Sequence, residues 1–261
     1  MTAVPITPSD RAELGALRAV LHAGPPLVHC LTNIVVAGFT ANVLLAVGAS
    51  PAMVENAAES ADFARIAGAV LINLGTLSQE RDVAVVAAAG AAHDAGVPWV
   101  LDPVAVGALA HRTRLAVELL RHRPAVIRGN GSEILGLAGA GPGGRGVDSL
   151  AASSDAVGAA RALAADHGCV VAVSGEVDYV TDGDRVVPVP GGTPLLTKVT
   201  GVGCALGALV AAALGAGLDP MTAAVAASQL VAAAGEVAAV RAPLPGSFAV
   251  ALLDELASAA A

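Results

Sequence analysis

Short runs of consecutive apolar residues alternate with longer alanine-rich stretches along this chain. Leu27-Val28-His29-Cys30 predicts a short strand, and residues 49–54 read as extended. Further strands are predicted over 69–75, 97–101, 125–128 and 169–174. Helices are predicted between them over 35–47, 57–67, 81–95, 112–121 and 153–167, and another opens near Glu133. Ser9 and Asp10 mark the N-cap region of a first helix that ends near Gly24-Pro25-Pro26. Tyr179-Val180-Thr181 and the run 185–189 flank Asp182-Gly183-Asp184, which predicts an antiparallel hairpin. A glycine-rich loop is expected over 139–146. From Val202 onward the chain reads helical, over 203–216, 220–240 and from about 248.

Four of the strands are continuously apolar, so both of their faces should be buried. Buried strands separated by helices imply a mostly parallel central sheet with helices on both faces, a three-layer α/β fold carrying one antiparallel hairpin. No linker or shift in composition divides the chain, so residues 1–261 are expected to form a single domain.

Composition narrows this picture. Of 261 residues, 55% are apolar but only 2% aromatic, so Ala, Val, Leu and Ile must build the core. Mean hydropathy is high, +0.71, and residues 34–54 carry no charge, a length that can span a bilayer. That segment contains Asn42, Gly48, Ser50 and Pro51 and lacks basic flanks, so it reads as a buried helix running into a strand. The N-terminal residues lack the basic and apolar regions of a secretory signal. No membrane association is expected. The net charge of −8 and the absence of a basic stripe argue against nucleic-acid binding. Three cysteines without CxxC spacing give neither a disulfide framework nor a zinc site.

The chemistry-bearing candidates sit at strand ends. Thr200-Gly201-Val202-Gly203-Cys204 is a glycine-rich turn opening a helix, where exposed backbone N–H groups and the helix dipole suit an anion. A tight packing turn would show the same glycines. Gly203 and Cys204 are the catalytic candidates: the glycine's amide faces developing negative charge, and the helix start should lower the Cys204 pKa. A buried, inert thiol is the structural alternative. Asp102 follows a buried strand, where a carboxylate can hold Mg²⁺ through water or simply form a turn. Arg128 suits phosphate oxygens. Glu133 begins a helix, where an acid also fits the dipole for structural reasons alone. Ser174-Gly175 is either a nucleotide contact or a turn. His29 reads as a satisfied core histidine.

Taken in order, these motifs resemble the hydroxyethylthiazole kinase family of the ribokinase-like superfamily. The resemblance is carried by Pro26-Leu27-Val28-His29 with Thr32-Asn33, by Thr40-Ala41-Asn42, and by Gly48-Ala49-Ser50-Pro51-Ala52-Met53. It continues through Asn73-Leu74-Gly75-Thr76-Leu77, Asp102-Pro103-Val104, Arg128-Gly129-Asn130 with Glu133, and Thr200 to Cys204. It covers nearly the whole chain.

The resemblance implies a three-layer ribokinase-like fold and ATP- and Mg²⁺-dependent phosphorylation of the hydroxyl of 4-methyl-5-(2-hydroxyethyl)thiazole, in thiamine biosynthesis and salvage. It implies a cytoplasmic homotrimer with active sites between subunits. Carried over residue by residue, Met53 and Gly201 would contact the thiazole, Arg128 and Ser174 the ATP, and Asp102 and Glu133 the metal and triphosphate. Cys204 would lie beside the attacking hydroxyl. The chain departs from the family pattern at Cys30, where Asn is expected, and at Ala105, where Gly is expected. The rival readings are another ribokinase-like kinase, acting on hydroxymethylpyrimidine or a sugar, a ligand-binding relative without turnover, and an acyl-transfer or redox enzyme using Cys204, for which no His partner is obvious in the sequence.

Overall fold

A computed structural model describes residues 8–139 and 151–260. Its strands are β1 Leu27–Leu31, β2 Ser50–Ala52, β3 Ala69–Asn73, β4 Trp99–Asp102, β5 Val126–Asn130, β6 Val170–Ser174, β7 Asp178–Thr181 and β8 Val186–Val189. Its α-helices are α1 Pro8–Ala23, α2 Ala37–Ala46, α3 Ser60–Ile66, α4 Gln79–Ala95, α5 Ala110–Leu119 and α6 Gly131–Leu137. They continue as α7 Val157–His167, α8 Val202–Gly215, α9 Pro220–Arg241 and α10 Pro245–Ala260. The predicted glycine-rich loop lies largely outside the described residues.

The strands form one sheet in the order β2-β1-β3-β4-β5-β6-β7-β8. Pairing is parallel from β2 to β6 and antiparallel across β6–β7 and β7–β8, as the hairpin signal predicted. Strand order reverses at β1, where the chain first lays β2 on one side and then returns to place β3 on the other. Such a switch point opens a crevice at the carboxyl ends of the strands.

Alternation along each strand splits the core in two. Leu71, Val100, Val126 and Ala172 face one apolar layer, shared with residues of α1, α2, α8, α9 and α10. Their neighbours Ile72, Leu101, Ile127 and Val171 face the other, shared with residues of α3 to α7. Both layers are alanine-rich, as the scarcity of aromatics required. The helix α8 lies across β1, β3 and β4 and is buried over most of its length. Each fully buried Val or Leu there contributes roughly 1.5–3 kcal/mol. The apolar stretch over 34–54 resolves into a 3₁₀ turn at Ile34–Val36, α2 and β2. The helix α9 is long and apolar enough to cross a membrane by composition, but it is a core helix, with two-thirds of its most apolar window buried.

Several element boundaries differ from the sequence reading. The helix α1 starts at Pro8, so Ser9 and Asp10 lie inside its first turn. The extended segment expected over 49–54 pairs only as far as Ala52, which leaves Met53 in a loop. There the Val54 carbonyl accepts from His29, so it is not free for a ladder. The strand β4 begins at Trp99 because Pro98 has no N–H to give. The segment expected to be one helix over 153–167 opens as a 3₁₀ turn, Ser153–Ala156, and α10 begins three residues before the expected Phe248.

Candidate active site

Period two decides what meets at the carboxyl ends of the strands. Residues 69, 71 and 73 of β3 point the same way, as do 100 and 102 of β4, 126 and 128 of β5, and 170, 172 and 174 of β6. Because Leu71, Val100, Val126 and Ala172 face the α8 layer, the next residues on that side are Asn73, Asp102, Arg128 and Ser174. Four adjacent parallel strands therefore present four polar side chains to the N-terminus of α8.

Their contacts form a chain. Asn73 Nδ2 donates to Asp102 Oδ2 at 2.6 Å, across a pair of residues in register. Arg128 Nη1 lies 3.8 Å from the same oxygen. Arg128 Nε and Nη2 both donate to Ser174 Oγ, at 3.2 and 2.8 Å. The other carboxylate oxygen, Asp102 Oδ1, is buried with no hydrogen-bond partner. Burial pushes the Asp102 pKa up, to about 7, against the lowering effect of Arg128.

The turn Thr200–Cys204 arrives over this row. Gly201 is the N-cap of α8 at φ +99, and a Cβ there would sit 2.7 Å from Val36 Cβ. Both facts demand glycine. Side chains cap α4 (Ser78), α6 (Asn130) and α9 (Asp219), but Gly201 offers none to α8. The first amides of α8 therefore have no intrahelical acceptor and no side-chain cap, which suits an anion. A Cβ on Gly203 would lie 3.0 Å from Arg128 Nη1 and 3.2 Å from Nη2. The missing side chain is what lets the guanidinium reach the helix start.

Cys204 is half-buried on the first turn of α8 and lies within hydrogen-bonding reach of the Asn73 amide. The expectation of a lowered pKa is overturned. Burial and the Asp102 charge push the thiol up to about 12, outweighing Arg128 and the Asn73 hydrogen bond. At neutral pH Cys204 is a thiol, a hydrogen-bonding group rather than a base.

Glu133 is buried, and backbone already engages both of its oxygens. Oε2 accepts the Asn130 N–H at 2.9 Å, completing a capping box with the Asn130 side chain. Oε1 accepts the Ala105 N–H at 3.0 Å. The carboxylate thus ties the loop after β4 to the start of α6. Ala105 has φ +61, the left-handed region where the family pattern expects glycine. Cys30 is fully buried in the α8-side core, so its departure from the pattern concerns packing.

The structure gathers Asp102, Arg128, Ser174, Gly201, Gly203, Cys204 and Glu133 at one end of the sheet. Met53 stands apart from them. It follows β2, two strand spacings or roughly 10 Å beyond β3, half-buried against the α8-side layer. Sequence reasoning did not single out Asn73 as a site residue, although it obeys the rule that picked out Asp102: a polar residue ending a buried strand. It also missed Asp178, whose Oδ1 accepts the Gly175 N–H and whose Oδ2 accepts the Ser228 hydroxyl, bracing the turn after Ser174.

Among the described residues, no group of three or more His, Cys, Asp or Glu side chains is placed to enclose a metal. A divalent ion here would take its remaining ligands from water and phosphate, as Mg²⁺ commonly does. The orphaned Asp102 Oδ1 is a suitable acceptor for such an ion, and Glu133, with both oxygens engaged, fits a contact through water.

A predominantly parallel sheet of this order, with an uncapped helix aimed at a row of Asn, Asp, Arg and Ser, defines a ribokinase-like small-molecule kinase. The fold is shared with a ribokinase-like superfamily protein from Enterococcus faecalis at TM-score 0.65 and 12% identity, covering 93% of this chain and 94% of that one. The hydroxyethylthiazole kinase family model matches residues 19–261, and the chain belongs to that family. It is 56% identical over 256 residues to a hydroxyethylthiazole kinase from Kineococcus radiotolerans, covering 98% of this chain and 93% of the relative. The solved structure of the hydroxyethylthiazole kinase protein from Pyrococcus horikoshii superposes with TM-score 0.86 at 39% identity, covering 95% of this chain and 93% of that one.

Proposed function

We propose that this chain, working as one kinase domain, phosphorylates the hydroxyl of 4-methyl-5-(2-hydroxyethyl)thiazole with ATP and Mg²⁺, a step of thiamine biosynthesis and salvage. The observation that carries the reading is the row Asn73, Asp102, Arg128 and Ser174 beneath the uncapped start of α8, in a member of this kinase family.

The reaction breaks the bond between the γ-phosphorus of ATP and the β–γ bridging oxygen, which leaves on ADP, and joins that phosphorus to the alcohol oxygen, whose proton passes to solvent. Charge on the transferring group dominates the barrier. Arg128, aligned by Ser174, meets phosphate oxygens, and the amides of Val202, Gly203 and Cys204 meet developing negative charge. Asp102, with Glu133 through water, would hold Mg²⁺, which when bound neutralises phosphate charge. Cys204 orients the alcohol as a neutral hydrogen-bond partner, while Met53 and Gly201 shape the thiazole pocket.

Assembly as a cytoplasmic homotrimer is part of this reading. Its support is the apolar lip beside the site: Ile34 and Val35 are 60% and 69% exposed, next to Val36, which packs at Gly201. Light scattering after size exclusion reads the trimer directly. The kinase reading is tested by ADP release with the thiazole alcohol, hydroxymethylpyrimidine or ribose, with and without Mg²⁺. Turnover is expected with the thiazole and Mg²⁺, and its absence there would overturn the reading.

A further inference from the structure

Met53 hangs from the end of a three-residue edge strand, so little of its placement comes from the sheet. The two residues that follow it are gripped from the opposite face. His29, on β1, points away from α8, where its ring meets Phe63 of α3 edge-on at a centroid distance of 5.1 Å. Its Nε2–H donates to the Val54 carbonyl at 2.7 Å. Glu55 Oε1 accepts from Arg81 Nη1 at 2.9 Å, and Arg81 is 7% exposed on the first turn of α4. Burial holds the His29 pKa down, so the ring stays neutral and keeps a single proton for Val54.

These grips are costly to build. His29 Nδ1 and the Nε and Nη2 groups of Arg81 are buried without hydrogen-bond partners. An unpartnered buried polar group destabilises the fold. A loop that needed only to be closed off would be held as well by apolar contacts. The geometry instead fixes two successive residues, one through its main chain and one through its side chain. That leaves the chain direction at Met53 little freedom.

We infer that His29 and the Glu55–Arg81 pair are positioning residues that set the Met53 side chain in the alcohol-binding pocket and so govern affinity for the acceptor. The inference rests on the kinase reading for the pocket's occupant, but not for the placement itself.

The test reads placement and affinity separately. The chain has three methionines, so a ¹³C-methyl methionine NMR spectrum is simple, and Met53→Leu assigns the Met53 signal. In His29→Phe, which keeps a ring against Phe63 and loses the donor, the Met53 methyl signal should shift or broaden while that of Met221 stays put. Glu55→Gln, at a partly exposed side chain, should do the same and covers the case in which His29→Phe does not fold. Kinetically, each variant should raise KM for the thiazole alcohol about fivefold or more, with KM for ATP and kcat within about twofold. In a Met53→Ala background the same changes should add less than about twofold, since residues acting through one side chain are not additive. An unmoved Met53 signal in a folded variant overturns the inference. So does equal loss with and without Met53. Absence of thiazole turnover in the wild-type protein would overturn the kinase reading, while the NMR result still decides the placement.

Discussion

Asn73 and Asp102 end neighbouring strands in register, and the 2.6 Å hydrogen bond between their side chains closes one side of the site. The Asn73 amide also reaches Cys204. One neutral residue thus joins the carboxylate proposed to hold the metal to the thiol proposed to meet the alcohol. Replacing it with Leu leaves a buried carboxylate oxygen short of its donor, at a cost of about 1–3 kcal/mol. Asn73→Leu should lower kcat/KM about tenfold or more and reduce the urea midpoint, both measurable on purified protein.

Cys204 and Gly203 are expected to differ in the opposite sense to their reactivities. A thiol pushed up to about 12 supplies no base at pH 7, whereas a general base typically contributes about 10²–10⁴-fold. Cys204→Ala should therefore slow turnover by less than about a hundredfold. Iodoacetamide at pH 8 should modify Cys204 at least about tenfold more slowly than a free cysteine. Gly203→Val puts a branched side chain against Arg128 and should cost about a thousandfold or more, with an unchanged circular dichroism spectrum. Steady-state ADP release ranks the pair, and the reverse ranking would remove the electrostatic account of the turn.

How much of this was legible in the sequence depended on distance along the chain. Strand ends were readable because buried strands are apolar runs that stop at a polar residue, and Asp102, Arg128 and Ser174 all announce themselves that way. Asn73 does too, yet an Asn at a strand end is also an ordinary turn residue, and only its register opposite Asp102 separates the two. The Cys204 pKa was misread for a related reason. The helix start is a local feature visible in sequence, whereas the burial and the Asp102 carboxylate that outweigh it come from the fold. The dual use of Glu133 was half visible. Its capping box is a four-residue pattern, but its grip on Ala105 spans 28 residues.

Ala105 occupies left-handed backbone at φ +61, held there by its N–H to Glu133. Such a conformation costs a non-glycine residue roughly 1–2 kcal/mol, and glycine gives part of that back as unfolded-state entropy. Ala105→Gly should stabilise the protein by up to about 1 kcal/mol, raising Tm by roughly 2–4 °C in differential scanning calorimetry. An unchanged or lowered Tm would show that the loop carries no strain.

The raised pKa of Asp102 has a definite sign. The folded protein keeps the carboxyl proton at pH values where the unfolded chain has released it. The corresponding stability is present below the usual carboxylate range and lost as pH rises through about 7. Measured by urea without divalent cations, Asp102→Asn should lose less stability between pH 4 and pH 8 than the wild type. Parallel pH profiles for the two proteins would contradict this.

The alternation that lines up the polar row also guards the fold against error. Each strand from β3 to β6 carries apolar residues toward both layers and a polar group toward its carboxyl end. A slip of one position would turn Asp102, Arg128 or Asn73 toward the helices α3 to α7, into a layer built from Leu, Ile, Val and Ala. Burying an unpaired charge there is prohibitive. Misregistered pairings are thus penalised by the same side chains that line the candidate site, and the chemistry of the site acts as a proofreader of the sheet during folding.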